Sequence, residues 1–562
     1  MAFTPWYKDM AVYHIWPRSF CDGNGDGIGD LWGVLQKLDY IKSLGVDAIW
    51  FSPLYPSPNA DWGYDISDYM DIHPDYGNLE VFKQLLREAH RRGLRVFMDL
   101  VVNHTSDEHP WFIESRKSRD NPYHDYYYWR PAKRGGSDGE KRLPPNNWTS
   151  VFEGEAWEYD SNLDEYYLHL FAKKQPDLNM DNPKVREEVK KILRFWLDMG
   201  VDGFREDVIT FISKTPGLPS VYPKLPVANG IKHYSNRPQA HDYLREFKRD
   251  VLSKYDCFVV GESPMTDADT ALRYVSEGPD QVLDEMIAFS HMEADCFKVD
   301  MIRRPFNLVK MKKAFSEWQY RLAGRGWNAL YIENHDHPRI ISRYGSEKYR
   351  VESGKMLAAM YILQKGTPFI YQGQEIGMTN MPLPELGMYK DVMTFNSARI
   401  LSKLYPKKKV LSIIQQGTRE NARSPMQWSA GKNAGFTSGR PWFFVNGNYR
   451  EINVEAAEAD PDSILHFYRK LLAFRRGSPV VLRGEYKEYF PRDKNFYVYE
   501  RRYFEKRLLV ICSFTDKQLR FNAPEGIDLS KWELELTNYD YSFTIGNGFT
   551  ARPYELRVYS FG

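Results

Sequence analysis

The sequence has very little cysteine: four residues in 562, at Cys21, Cys257, Cys296 and Cys512. They are widely spaced, with no CxxC pair and no zinc-ligand spacing. A disulfide framework and a structural zinc site are thereby excluded, and free buried thiols in a reducing compartment are expected. Net charge is equally scarce, with 76 basic residues against 75 acidic ones. No basic field exists to hold nucleic acid or an anionic membrane. No run of about 18 apolar residues occurs, so no membrane span is expected. The opening residues, Met1-Ala2-Phe3-Thr4-Pro5-Trp6-Tyr7-Lys8-Asp9, lack the basic segment and apolar stretch of a secretory signal. A cytoplasmic monomer is the expectation.

Aromatic residues are plentiful, at 15%, and 562 residues are too many for one core. Eight short apolar runs alternate with helical patterns, at residues 12–16, 48–51, 96–102, 203–204, 258–260, 282–287, 329–332 and 368–371. Between them, Val185, Val189, Ile192, Leu193 and Trp196 fall on one stripe at helical spacing. Asn182 suits its cap, Pro183 its first turn and Gly200 its exit. Leu79, Phe82, Leu85, Leu86 and Ala89 form a second stripe that ends at Gly93. Strand and helix repeated eight times predict an α/β fold, a (β/α)₈ TIM barrel, whose strands are apolar on both faces.

The barrel is expected to occupy residues 1–103 and 181–482. Residues 104–180 are too many for a simple crossover and contain polar, Gly-rich sequence such as Arg134-Gly135-Gly136-Ser137-Asp138-Gly139. They predict an inserted subdomain after the third strand, overhanging the barrel mouth. Residues 483–562 carry short β-rich runs and predict a C-terminal antiparallel β-domain. Residues 377–423 read as a long loop with one helix.

Catalytic groups in such barrels lie at the C-terminal ends of the strands. Four strand ends here carry acids: Asp99, Asp207, Glu262 and Asp336, with His104, Arg205 and His335 beside them. One buried carboxylate is usually a structural hydrogen-bond partner; four brought to one barrel face are what glycosidic bond cleavage requires.

The motifs Asp99-Leu100-Val101-Val102-Asn103-His104, Gly203-Phe204-Arg205-Glu206-Asp207, Gly261-Glu262-Ser263-Pro264 and Asn334-His335-Asp336 resemble those of the α-amylase superfamily. Gln175-Pro176-Asp177-Leu178-Asn179 and Ala422-Arg423-Ser424-Pro425-Met426-Gln427-Trp428 are similar to segments of its oligo-1,6-glucosidase group. The resemblance implies an exo-acting retaining α-glucosidase working on isomaltose and isomalto-oligosaccharides. It implies that Asp207 is the nucleophile, Glu262 the acid and then the base, and Asp336 a ligand of the sugar hydroxyls that tightens in the transition state. Retention requires the two carboxyls about 5–5.5 Å apart. Arg205 would keep Asp207 ionised, and Glu262 needs a raised pKa. His104 and His335 would donate hydrogen bonds to the same sugar. Asp61 and Tyr64 would close the non-reducing end, Phe171 would flank it, and Arg419 would hold remote hydroxyls. Val208, directly after the nucleophile, goes with an α-1,6 preference in that group.

The stretch Asp22-Gly23-Asn24-Gly25-Asp26-Gly27-Ile28-Gly29-Asp30 places oxygen donors at alternate positions, which suits a hard cation. Its twelfth position is Gly33, so it is no EF-hand. The resemblance implies a structural Ca²⁺ held by Asp22, Asn24, Asp26, Asp30 and the Ile28 carbonyl. Three residues depart from the usual pattern: Glu206, which should point away from the pocket to a place where a charge needs a partner, and Trp62 and Ser263, which could reshape the leaving-group side. Glucosyl transfer, sucrose isomerisation, α-1,4 hydrolysis and trehalose-6-phosphate hydrolysis are alternatives on the same fold. A non-catalytic transporter heavy chain would have lost the acids.

Overall fold

The computed structural model describes residues 5–135, 140–224, 229–297, 299–540, 544 and 546–562. The four residues 136–139 of the expected Gly-rich stretch therefore lie outside the described residues. Eight parallel strands form the central sheet: Val12–Ile15, Ala48–Phe51, Arg95–Leu100, Gly203–Glu206, Phe258–Ser263, Glu285–Ala288, Ala329–Leu330 and Thr367–Tyr371. Numbered along the chain, they pair in the order 6-5-4-3-2-1-8-7. That is a (β/α)₈ ring with one seam, between the sixth and seventh strands. Close packing within the ring depends on small residues. A Cβ at Gly203 would come 2.0 Å from the Phe258 carbonyl oxygen on the neighbouring strand.

The predicted helices form where the stripes place them. Asn78 caps Leu79–Arg91 through the amides of Glu80 and Val81. Asn182 caps Pro183–Met199, and Gly200 ends it in the left-handed region at φ 106°. Val185, Val189, Ile192, Leu193 and Trp196 are all buried, as their spacing requires. The sixth strand differs from its apolar run: it begins at Glu285, because the Asp284 carboxylate turns back to accept the Val259 amide. The seventh shortens to two residues, with Tyr331 and Ile332 buried beyond its end.

Residues 104–180 hold the helix Pro110–Ser115, a three-stranded antiparallel sheet and a hairpin. Their apolar cluster, with Tyr128, Trp148, Phe152, Trp157 and Phe171, also takes in Val208 and Phe211 from the fourth strand's exit. This shared cluster seats the insertion beside the nucleophile. Beyond Glu485, five antiparallel strands form a separate sheet. Buried Lys312 anchors it to the barrel by donating to the carbonyls of Phe490, Asp493 and Phe496. Residues 377–423 contain two helices, Val392–Leu401 and Lys407–Gly417, where one was expected. Among the described residues no helix is long and apolar enough to cross a membrane. Cys21, Cys257 and Cys512 are in no disulfide.

Candidate active site

At the C-terminal mouth of the barrel lies a cavity of about 470 Å³. Asp61, Tyr64, His104, Phe171, Asp207, Val208, Glu262, Asp336 and Arg419 all line it. Residues separated by more than 350 positions in sequence thus share one surface because each follows a barrel strand or packs against one that does.

Arg205 organises the centre. Side chains two apart on a strand share a face, and its Nη1 reaches Asp207 Oδ1 at 2.6 Å. The same nitrogen bonds Asp99 Oδ1 at 2.7 Å, and Nη2 bonds Glu262 Oε1. Asp207 lines the cavity, and its Oδ2 has no hydrogen-bond partner among the described residues. Burial raises all three carboxyls against the pull of Arg205, Asp99 to about 7. One guanidinium cannot neutralise three carboxylates, so the trio retains a proton at neutral pH. Glu262 has an additional reason to hold it, because the negative charge of Asp336 opposes its ionisation.

The turn after the nucleophile is strained. Val208 sits at φ 36°, in the left-handed region that β-branched residues rarely enter. That conformation aims its amide at Glu262 Oε2, 3.2 Å away. The fourth strand therefore positions both carboxyls, one through Arg205 and one through the backbone.

A second network closes one end of the cavity. Arg419 bonds Asp61 Oδ1 at 2.6 Å, Asp391 Oδ2 at 2.8 Å and Asp336 Oδ1 at 3.2 Å. Arg423 bonds Asp336 Oδ1 at 3.0 Å and Asp391 Oδ2 at 3.1 Å. Burial alone would raise Asp336, but His335, Arg419 and Arg423 hold it well below the usual carboxylate range. It is ionised. Beneath the network, the Tyr64 hydroxyl lies 3.1 Å from Asp99 Oδ2 and 2.7 Å from His335 Nε2.

Two histidines differ in their placement. His104 lines the cavity, with Nε2 3.1 Å from the Tyr64 carbonyl, and burial lowers it to about 4, so it is neutral. His335 is set behind Tyr64 and Asp336, outside the residues that line the cavity. Its Nε2 is engaged by Asp336 Oδ2 at 3.0 Å and by Tyr64, and burial lowers it to about 4. It orients two residues that do face the cavity.

Glu206 points away from the cavity. It is fully buried, and among the described residues neither carboxyl oxygen has the hydrogen-bond partner expected. Burial, with Asp284 nearby, pushes it to about 8, so it is held as a neutral acid. Trp62 and Ser263 do not line the cavity. Trp62 packs on Trp442, and Ser263 shares its hydroxyl with Thr210 and Thr266.

Three supporting residues carried no assigned role in the sequence: Asp99, Asp391 and Arg423. Asp99 had a signal, since it ends a strand in a motif already singled out. Asp391 had none, because its significance comes from two arginines 28 and 32 positions away.

In the loop at residues 22–30, Gly25 and Gly27 adopt φ of 88° and 98°, and the chain bends tightly around its acids. Asp22 accepts from the amides of Asn24, Gly25 and Gly27. Asp26 accepts from Ile28, and Asp30 from Gly23, Asn24 and Gly33, capping the following helix. Among the described residues no three His, Cys, Asp or Glu side chains converge as metal ligands would. The donor types fit a hard cation; the carboxylates as placed are turned onto the backbone.

The alpha-amylase catalytic-domain family matches residues 14–484. An oligo-1,6-glucosidase of Parageobacillus thermoglucosidasius is 49% identical over 99% of this chain and 98% of its own length. The crystal structure of a trehalose-6-phosphate hydrolase of Bacillus licheniformis superposes with a TM-score of 0.92 at 42% identity, covering 99% of this chain and 100% of that one. An isomaltulose synthase of Erwinia rhapontici NX5 gives 0.93 at 37% identity, covering 100% of both. The two structures name different reactions on one scaffold, which is how fold and activity part company. With the matched domain spanning the barrel and its acid-bearing strand ends, the chain belongs to the alpha-amylase family.

Proposed function

We propose that the chain is an exo-acting, retaining α-glucosidase that hydrolyses α-1,6-linked glucose from the non-reducing end of isomaltose and isomalto-oligosaccharides. The observation that carries this reading is the single guanidinium of Arg205 joining Asp207 and Glu262 in a cavity closed at one end by the Asp61–Arg419 pair. Two carboxyls held on one guanidinium are the pairing that the retaining mechanism uses, one as nucleophile and one as acid and base. The closed end admits one terminal glucose.

Asp207 Oδ2 attacks the anomeric carbon while Glu262 gives its proton to the leaving oxygen, producing a β-glucosyl ester and a free sugar. Glu262, now a carboxylate, takes a proton from water. The hydroxide oxygen bonds the same carbon and Asp207 departs, restoring the α configuration. Ionised Asp336 and the arginines above it hold the glucose hydroxyls as positive charge develops on the ring.

The linkage preference rests on Val208 and on the name of the Parageobacillus relative. With isomaltose, maltose, sucrose and trehalose-6-phosphate compared, kcat/KM is expected to be highest for isomaltose, by about tenfold or more, the size of one small group's change in a sugar site. Polarimetry should find α-glucose released first. A higher value for trehalose-6-phosphate would assign the other activity, and β-glucose would end the retaining mechanism.

The proposal includes a calcium ion on the loop at residues 22–30, in a monomer acting in the cytoplasm. Asp22, Asp26 and Asp30 lie on one nine-residue loop, and among the described residues no ion pair engages them; their carboxylates accept from backbone amides. Calcium would recruit their oxygens with Asn24 and the Ile28 carbonyl. Millimolar Ca²⁺ is then expected to raise Tm after chelator treatment by several degrees, following the mass-action stabilisation of a bound ligand. Activity at permissive temperature should change little. An unmoved Tm removes calcium from the proposal.

A further inference from the structure

His337 is a polar group on the cavity that the mechanism leaves unused. It follows Asp336 by one residue, is 98% buried by virtue of 2% exposure, and lines the catalytic cavity. Among the described residues neither ring nitrogen has a hydrogen-bond partner. The other histidine on the cavity, His104, is engaged, and so are the carboxyls of Asp61, Glu262 and Asp336. Native proteins rarely leave such a group unsatisfied, and those that do commonly reserve it for a ligand.

The barrel's ring geometry shows which part of a ligand it would meet. In the ring the sixth strand pairs with the fifth, setting Ile287 beside the acid Glu262. Asp61 and Tyr64 follow the second strand and His104 the third, and they form the closed end. Phe289 follows the sixth strand and His337 the seventh; their rings meet edge to face at 5.8 Å across the seam. His337 therefore lies on the acid's side of the cavity, with Phe289 and Met265, where the leaving oxygen is protonated and the departing group sits.

Around it the wall is mixed, with Phe289 and Met265 beside the charged Glu293, Lys310 and Asp336. Met265, three residues after Glu262, lines the same cavity, is 58% exposed and is held at φ 58°. Burial, with the charges of Arg343 and Arg303, drives His337 well below the usual imidazole range, and Asp336 opposes this without reversing it. His291 adds to the same depression. The ring is thus neutral, with one nitrogen donating and one accepting. Neighbouring hydroxyls of a sugar can satisfy both; an aryl ring can satisfy neither.

We infer that His337 is a substrate-binding residue for the departing sugar, pairing with its hydroxyls and selecting glycosyl over hydroxyl-free leaving groups. This rests on the hydrolytic reading above. The test compares kcat/KM for the disaccharide that the wild-type protein cleaves fastest with that for p-nitrophenyl α-glucoside. It uses His337→Ala and His337→Gln, with Tm as the check on folding. His337→Ala is expected to lose about tenfold more on the disaccharide than on the aryl glucoside, the size of one or two neutral hydrogen bonds. His337→Gln, which keeps a donor and an acceptor, should recover most of that difference. Equal losses on both substrates, or no loss on the disaccharide, would make His337 only part of the wall and overturn the inference. The wild-type substrate ranking is read separately: if maltose or sucrose outranks isomaltose, the linkage assignment fails while the His337 comparison proceeds on that sugar. A wild-type protein that cleaves no glucoside ends both.

Discussion

Asp207→Ala is expected to abolish glucose release, with kcat on isomaltose falling by about 10⁴-fold or more, as when a covalent nucleophile is removed. The fold should survive. Arg205 keeps Asp99 and Glu262 as partners, and the substitution removes one of three buried carboxyls competing for one guanidinium. Tm is therefore expected to hold or rise, the pattern that distinguishes a strained catalytic site from a structural one. Azide should restore turnover of an activated aryl glucoside. It can enter the space left by the carboxylate and attack from the nucleophile's face, while the aryl oxygen leaves with its electron pair. The product would be β-glucosyl azide. Retention of ordinary activity in Asp207→Ala would remove the nucleophile from this side chain.

Much of the framework was legible because its signals are local. The stripe from Val185 to Trp196 and its Asn182 and Gly200 boundaries are set within one helix, where side-chain spacing and capping decide the outcome. The acids at 99, 207, 262 and 336 were legible because strand ends in a barrel all point to one mouth. What stayed hidden depends on partners distant in sequence. Asp391 looks like any helix cap, and it does cap Val392–Leu401 through the Met393 amide. Only the folded chain brings Arg419 and Arg423 onto its other oxygen, where against the effect of burial they hold it below the usual range. His335 was placed at the right strand end, but the chain turns there, and Asp336 and His337 line the cavity while His335 packs behind them. The sixth strand slipped for the reverse reason: Val282 and Leu283 are apolar enough for a strand, yet they are buried before the ladder starts. Glu206 broke the apolar pattern of its strand and still lies in it, because a protonated carboxyl can be buried where a charged one cannot.

Glu262→Gln should produce a different failure, one that depends on the leaving group. General acid catalysis is worth about 10²–10⁴-fold, so kcat/KM on isomaltose should fall by about that factor. Nitrophenolate needs no protonation to depart, so the first step on p-nitrophenyl α-glucoside should fall far less. The pH profile carries the same argument. Burial and the charge of Asp336 raise Glu262 above an ordinary glutamate, and Arg205 limits the rise. Wild-type kcat/KM therefore declines on the alkaline side, as Glu262 loses the proton it must donate. In the Gln variant that decline should vanish for the aryl glucoside. Glutamine also cannot activate water, so the glucosyl ester on Asp207 should accumulate. Azide would then attack that ester from the leaving-group face and give α-glucosyl azide, the opposite anomer to the product from Asp207→Ala. The two configurations separate nucleophile from acid without reference to any relative. If both variants gave the same anomer, or if Glu262→Gln slowed both substrates equally, the division of labour between the two carboxyls on Arg205 would be wrong.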